Sequence, residues 1–191
     1  MKYILIKLMV CSFLSAFAQK ELKNPLALEA HFSINTLQIK SSEPFVQSVS
    51  SASSGLSAIY YFSNFIYAQT GISVVEDVSI SNLSFNTFKF PLTVGTSIRF
   101  DSSPYFLFGE LGGTYRRIYH VVNNFQERVV SKNGVFGFQT RLGMQFQLSK
   151  KVYSKIAYEI EYGYDSFTFS NYDPITIEKI SSISLFFGYR F

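Results

Sequence analysis

Large apolar side chains recur at every second position over stretches longer than an ordinary strand. The clearest stretch, FKFPLTVGTSIRF at residues 88–100, alternates apolar residues with small or polar ones. A period of two is the pattern of a β-strand with one apolar face, because successive side chains point to opposite faces. Strands of soluble sheets average about 5 to 6 residues, whereas about 9 to 11 are needed to cross a bilayer at a tilt. The pattern therefore favours strands that cross a membrane.

The same alternation recurs along the chain and predicts eight strands in all. It is nearly as regular in VFGFQTRLGMQFQL and VYSKIAYEIEYGY, and it closes the chain in SSISLFFGYRF. Weaker copies lie in LALEAHFSI, GLSAIYYF, IYAQTGISV and PYFLFGELGGTYRRIY. In IYAQTGISV the phase is ambiguous, and we place Ile66 and Ile72 on the outer face. An even strand count is typical of closed membrane barrels.

Short and long connections alternate between these strands. Segments rich in turn residues join strands at 63–64, 101–104 and 149–151, as expected for tight turns. Longer polar stretches, predicted to be loops, lie at 40–54, 75–84, 120–133 and 165–179. A sheet in lipid can have no free edge, so we expect the first and last strands to pair. Both termini then lie at the end of the barrel that carries the short turns.

The first 18 residues have the pattern of a secretory signal peptide. Lys2 and Lys7 precede an apolar stretch at 8–14, and Ala-Phe-Ala at 16–18 matches a cleavage site. The stretch is too short for a transmembrane helix. We expect the mature chain, 19–191, to be one outer-membrane β-barrel domain without cysteine, because Cys11 is the only cysteine.

Composition excludes two other classes of protein. The chain is 47% hydrophobic and 18% aromatic, yet after the signal peptide no segment approaches the roughly 18 unbroken apolar residues of a membrane helix. The net charge of +4 falls to +2 when Lys2 and Lys7 are removed with the signal peptide. Such a balance does not favour a nucleic-acid partner.

Together these features resemble the small eight-stranded outer-membrane β-barrels of Gram-negative bacteria, of the OmpA/OmpX type. Phe and Tyr without any Trp are similar to the composition of such barrels from Bacteroidetes. The resemblance implies an all-β antiparallel meander in the outer membrane. It also implies that the last strand carries a signal read by the barrel assembly machinery, at Ile183, Leu185, Phe187, Tyr189 and Phe191. Location follows from such a resemblance more directly than activity does.

Charged residues on the wetter faces are expected to point into the barrel. Eight strands leave an interior that side chains can just fill, and breaking a buried ion pair costs about 3–5 kcal/mol. We therefore interpret these residues as a salt-bridged plug rather than a substrate path or an open pore. The predicted network comprises Lys89, Arg99, Glu110, Arg116, Arg141, Lys155, Glu159, Glu161 and Arg190, with Glu29 as a further inward carboxylate.

The outer rim offers the candidate contacts of a non-enzymatic structural or surface-interaction protein. Arg117 falls in the lipid-facing phase, and Arg128 and Lys132 lie in the predicted loop that follows. Such a basic belt can contact lipopolysaccharide phosphates, although Arg117 can equally extend its charge to the interface without a specific partner. The predicted outer loops also favour an extracellular protein partner.

Two alternatives stay open. Glu29, His31 and Ser33 share one face of the first strand, and a Ser beside a His and a carboxylate can be an activated nucleophile. The HFS triplet is similar to the His-x-Ser spacing of outer-membrane lipid A deacylases, but this face is predicted to be interior. The second alternative is a secreted lipocalin-like barrel whose apolar face surrounds a ligand. His120 has no acidic residue at metal-ligand spacing, so we expect no metal and no cofactor.

Overall fold

The computed structural model describes residues 25–40, 46–80, 83–123, 134–164, 166–169 and 172–191. The predicted signal peptide at 1–18 lies outside this range. Among the described residues, no helix is long and apolar enough to cross a membrane. The strands are β1 (Leu26–Lys40), β2 (Val46–Tyr61), β3 (Ile66–Ile80), β4 (Leu83–Arg99), β5 (Tyr105–Asn123), β6 (Gly134–Gln147), β7 (Val152–Tyr162), β8 (Ser166–Phe169) and β9 (Tyr172–Arg190).

Eight long antiparallel strands close into a barrel, as predicted. The sheet order is β1-β2-β3-β4-β5-β6-β7-β9, and β9 also pairs with β1 from Ala27 opposite Arg190 to Lys40 opposite Thr176. The Phe191 amide donates to the Leu26 carbonyl at 3.0 Å. Closure leaves the long strands without a free edge, which satisfies backbone groups where no water is present. The four-residue strand β8 pairs with the start of β9.

The two ends of the barrel differ. At one, which we call the turn end, three tight turns join β2 to β3, β4 to β5 and β6 to β7. The same end holds both ends of the described chain, because the Tyr61 amide donates to the Pro25 carbonyl and the Arg190 amide to the Lys151 carbonyl. The predicted short turns are therefore confirmed. We call the opposite end the loop end.

The predicted long loops are wrong in extent. Strand β2 already begins at Val46, β3 and β4 are separated by only residues 81–82, and β5 continues to Asn123. Most of the predicted loop at 165–179 belongs to β8 and β9. Bulges in the β3–β4, β4–β5 and β1–β9 ladders shift the register near Val75, Thr87 and Ile39. Each bulge breaks the period of two, so the strands continue past the point where the alternation stops.

Candidate functional site: the barrel interior and its outer surface

The middle of the interior holds a network of buried ion pairs on alternate residues of five strands. Arg141 Nη1 lies 2.6 Å from Glu110 Oε2, and Arg141 Nη2 lies 2.6 Å from Glu159 Oε2. Lys89, on the opposite wall, contacts both Glu159 and Glu161. The remaining pairs are Arg116 to Glu161 at 2.9 Å and Lys155 to Glu29 at 2.5 Å. All eight residues are buried.

Further side chains satisfy the carboxylates of this network. Gln139 Nε2 donates to Glu159 at 3.1 Å, and the Tyr67 hydroxyl donates to Glu110 at 2.9 Å. The Tyr164 hydroxyl donates to Glu161. Because a buried charge is tolerable only when it is paired and hydrogen-bonded, these contacts explain how the lumen holds so many charges.

Lys155 occupies a cage of its own on β7. Its Nζ lies 5.0 Å from the centroid of the Phe108 ring and 5.3 Å from those of Tyr67 and Tyr153. Glu29 supplies its carboxylate. The ring faces stabilise the cation, but they carry no charge that neutralises it.

Two of the predicted network residues lie elsewhere. Arg99 is exposed at the turn end, where it donates to the carbonyls of Ser102 and Ser103. Arg190 is half-buried at the same end, with its guanidinium 4.3 Å from the centroid of the Tyr61 ring. Both occupy the last inward positions of their strands, so period two alone does not separate them from the residues deeper in the lumen.

The three residues of the deacylase-like alternative have separate partners. Ser33 Oγ donates to Ser184 Oγ at 2.7 Å, while His31 Nε2 lies 2.9 Å from Ser73 Oγ. Glu29 pairs with Lys155. All three side chains lie on the inner face of β1, as the alternation predicted.

Above the ion pairs, towards the loop end, lies a layer of small polar side chains. Asn35 donates to Ser51 and Ser53 at 3.3 and 3.1 Å and accepts from Ser182 at 2.7 Å. The sequence did not predict this layer, because Ser51 and Ser53 fall in a stretch predicted to be a loop. The alternating serines of SVSSASS were the available signal.

The loop end of the interior is apolar. Leu37 and Ile39 of β1 and Phe85 of β4 pack in one buried cluster with residues of the other walls. Phe85 and Phe167 have ring centroids 6.4 Å apart. The cluster comprises Leu37, Ile39, Val75, Val78, Phe85, Ile118, Val121, Val135, Tyr164, Phe167, Ile175, Ile177 and Ile180.

On the outer surface, apolar residues surround the level of the ion pairs and polar residues surround most of the level of the apolar cluster. Around the ion-pair layer it exposes a continuous belt of large apolar residues, from Leu26 to Ile34 on β1 and from Ile183 to Tyr189 on β9. Nine residues on β1 match the roughly 9 to 11 that cross a bilayer at a tilt. Around most of the apolar cluster the exposed residues are instead polar: Thr36, Gln38, Lys40, Ser48, Ser50, Glu76, His120 and Glu178. Exposed aromatic residues remain only beside Ile118 and Val135 among the described cluster residues, at Tyr119 and Phe136. We call the first part the belt and the second part the extension.

The predicted assembly-signal residues Ile183, Leu185, Phe187, Tyr189 and Phe191 are all exposed in the belt. At its upper edge Arg117 is exposed as well, opposite Phe88 on β4. Tyr119 stacks on Phe88 with centroids 4.2 Å apart, and Tyr115 lies 4.8 Å from Phe136. Aromatic girdles of this kind occur at membrane interfaces. Arg128 and Lys132 lie outside the described residues.

Comparison with known proteins shows the fold. No protein-family model and no curated protein sequence matches the chain. Among solved structures it is similar to the neisserial surface protein NspA, with a TM-score of 0.63 and 12% identity over 86% of this chain and 99% of that one. It is also similar to the outer membrane protein OprG from Pseudomonas aeruginosa, with a TM-score of 0.60 and 13% identity over 88% and 96%.

The fold is therefore that of the small eight-stranded outer-membrane β-barrels, a transmembrane class. This confirms the predicted fold class. The apolar belt faces outward, so the lipocalin-like alternative, which requires a polar exterior, is not supported.

Proposed function

We propose that the chain is a non-enzymatic integral protein of the outer membrane, with a plugged interior and a structural or surface-interaction role. One observation carries the proposal: the apolar face switches from the outside of the belt to the inside of the extension. A wall with a polar outer face and an apolar core is stable only against water. The extension thus stands clear of the bilayer and presents its strands to the surroundings.

The plug is supported by three stacked layers of side chains. Ion pairs join opposite walls in the middle of the lumen, for example Lys89 of β4 with Glu161 of β7. The polar layer around Asn35 and the apolar cluster around Phe85 follow towards the loop end. Water and ions would have to pass an apolar layer that offers them no hydrogen bonds.

A non-enzymatic role is supported by the contacts of Glu29, His31 and Ser33. Each has its own partner inside the lumen, whereas a lipid A hydrolase needs its nucleophile on the lipid face. The site of interaction is then the outer surface, with lipopolysaccharide, an extracellular protein partner and the assembly machinery as the proposed partners.

Labelling of single cysteines tests the orientation. Residues 19–191 contain no cysteine, and we expect Gln38→Cys and Glu178→Cys to react with a membrane-impermeant maleimide on intact cells. Ser149→Cys, in a turn at the opposite end, should react only after the outer membrane is permeabilised, because short turns face the periplasm. Reaction of Ser149→Cys alone on intact cells would invert the proposed orientation and remove the surface role.

Arg117 is the described residue best placed for lipopolysaccharide. An exposed guanidinium at the upper edge of the belt can form charge-assisted hydrogen bonds with phosphate, worth about 1 kcal/mol for a basic residue near an anionic surface. Arg117→Gln should therefore weaken lipopolysaccharide binding roughly fivefold, measured with the purified barrel in phospholipid micelles. Arg99→Gln at the turn end is the matched control. Equal affinities of both variants and the parent would assign Arg117 a purely interfacial role.

A further inference from the structure

Arg117 lies between two aromatic walls on the outer face of the barrel. On one side its partner in the β4 ladder is Phe88, and Tyr119 stacks on Phe88 with ring centroids 4.2 Å apart. On the other side its partner in the β6 ladder is Gly134, which carries no side chain. Tyr115 fills that space, because a Cβ added at Gly134 would come within 2.2 Å of the Tyr115 hydroxyl oxygen. We call Arg117 with Phe88, Tyr119 and Tyr115 the Arg117 notch.

A bulge in β5 produces the first wall of the notch. In the ladder between β4 and β5, Tyr119 is an extra residue that has no Cα partner on β4. A bulge changes the direction of the side chain at the extra position. Tyr119 therefore stands on the outer face next to Arg117, and it stays 41% exposed although it packs on Phe88.

The charge and the two walls define the chemistry of a ligand. The Arg117 guanidinium is exposed, and it forms no ion pair with any residue of the described strands. Its parallel N–H donors match a phosphate, and the Tyr115 hydroxyl beside it is a further donor. The face of a tyrosine ring carries negative charge density, so Tyr119 offers a surface for the slightly positive C–H groups of a sugar ring. The notch is therefore suited to a phosphate attached to a sugar.

The position of the notch favours a membrane glycolipid as the source of this group. Arg117 lies at the upper edge of the belt, at the level of the aromatic residues that mark the membrane interface. Below it on β5, Leu111 and Leu107 are exposed, as expected where acyl chains cover the wall. A lipid bound there has its headgroup beside Arg117 and its acyl chains along the belt.

We propose that the Arg117 notch binds the phosphorylated sugar headgroup of an outer-leaflet glycolipid, with the phosphate on Arg117 and Tyr115 and the sugar ring against Tyr119. The inference rests on the proposed function, in which Arg117 contacts lipopolysaccharide phosphate. It adds that the sugar ring is recognised as well, so a phosphate without a sugar binds less tightly. The two proposals therefore make different predictions for substitutions of Tyr119.

The test compares three lipids bound to the purified barrel in zwitterionic micelles. Lipid A bisphosphate carries its phosphates on sugars, phosphatidic acid carries its phosphate on glycerol, and dephosphorylated lipid A has none. Native mass spectrometry measures the bound lipid at equal mole fractions. We expect Tyr119→Leu to weaken binding of lipid A bisphosphate about fivefold, which corresponds to the loss of roughly 40 Å² of apolar contact. Binding of phosphatidic acid should not change. Arg117→Gln should weaken binding of both phosphates, and Tyr119→Phe should bind like the parent.

A tyrosine at the opposite interface provides the matched control. Tyr60 is 49% exposed and packs on Phe62 with ring centroids 5.2 Å apart. Tyr60→Leu therefore removes a similar aromatic pair at the turn end, and it should leave binding of lipid A bisphosphate unchanged. The gel mobility of the folded barrel shows that each variant is folded.

Recognition of the sugar is overturned if Tyr119→Leu binds lipid A bisphosphate like the parent, or if it weakens phosphatidic acid by the same factor. It is also overturned if the parent binds both phosphates equally, a result that needs no variant. In each of these cases a loss of binding in Arg117→Gln would still support the lipopolysaccharide contact of the proposed function. Tight binding of dephosphorylated lipid A, or no loss in Arg117→Gln, would contradict both.

Discussion

Replacing Glu29 by glutamine should lower the free energy of unfolding of the barrel by about 3–5 kcal/mol. Lys155 lies 2.5 Å from Glu29 and is otherwise surrounded by aromatic rings. Removing one partner of a buried pair leaves the other charge uncompensated in a medium of low dielectric constant, which accounts for the size of the loss. The chain has no tryptophan, so unfolding in urea is best followed by the gel-mobility difference between folded and unfolded barrel.

Two further variants separate loss of the ion pair from loss of packing. Glu29→Gln combined with Lys155→Met removes the pair entirely, and most of the stability should return. Glu159→Gln should cost less than Glu29→Gln, because Lys89 keeps Glu161 and Arg141 keeps Glu110. A change within about 0.5 kcal/mol for Glu29→Gln would show that water reaches Lys155. The proposal of a plugged interior would then be wrong at the depth of Lys155.

The belt and its lumen were predictable because one simple rule governs them. Each strand there is lipid-facing on one side and lumen-facing on the other, so period two sorts residues correctly even in β3, where Tyr67 and Gln69 are buried and Ile72 is exposed. Ion-pair partners were not predictable. Pairing across the lumen, such as Lys89 with Glu159, depends on strand tilt and register, which a single sequence does not encode locally.

The extension was missed because its polarity is reversed. The prediction of an apolar outer face holds as far as Ile34 and fails beyond it, where Thr36 and Gln38 are exposed while Leu37 and Ile39 are buried. Polar residues such as Ser48 therefore looked like loop residues. The bulges add to the difficulty, because each one moves the inward phase between odd and even positions.

Two aromatic residues that point into the lumen have packing roles that composition does not reveal. Phe186 is the one large apolar residue on the more polar face of SSISLFFGYRF, and it is buried beside His31. The guanidinium carbon of Arg141 lies 4.8 Å from the centroid of the Phe186 ring. Tyr153 lies across Gly188 of the neighbouring strand, where an added Cβ would come within 2.2 Å of the tyrosine ring. That glycine makes room for a tyrosine of the Lys155 cage, a role visible only once the register is known.

Adjacent residues on β9 give the sharpest test of the reversed polarity. Ile177 is buried in the apolar cluster opposite Ile39, whereas Glu178 is exposed on the outer face at the same height. Ile177→Ala should lower the free energy of unfolding by about 2–5 kcal/mol through the cavity it leaves. Glu178→Ala should change it by no more than about 0.5 kcal/mol, as is usual for a solvated surface position. Urea unfolding of both variants in the same micelles measures the difference.

The opposite result is expected if the extension lay in lipid with its apolar side outward. Ile177 would then contact acyl chains and leave no cavity, and the substitution of Glu178 would cause the larger loss of stability. Comparable small losses for both would mean that this part of the barrel has no packed core, which would remove the observation on which the surface role is proposed.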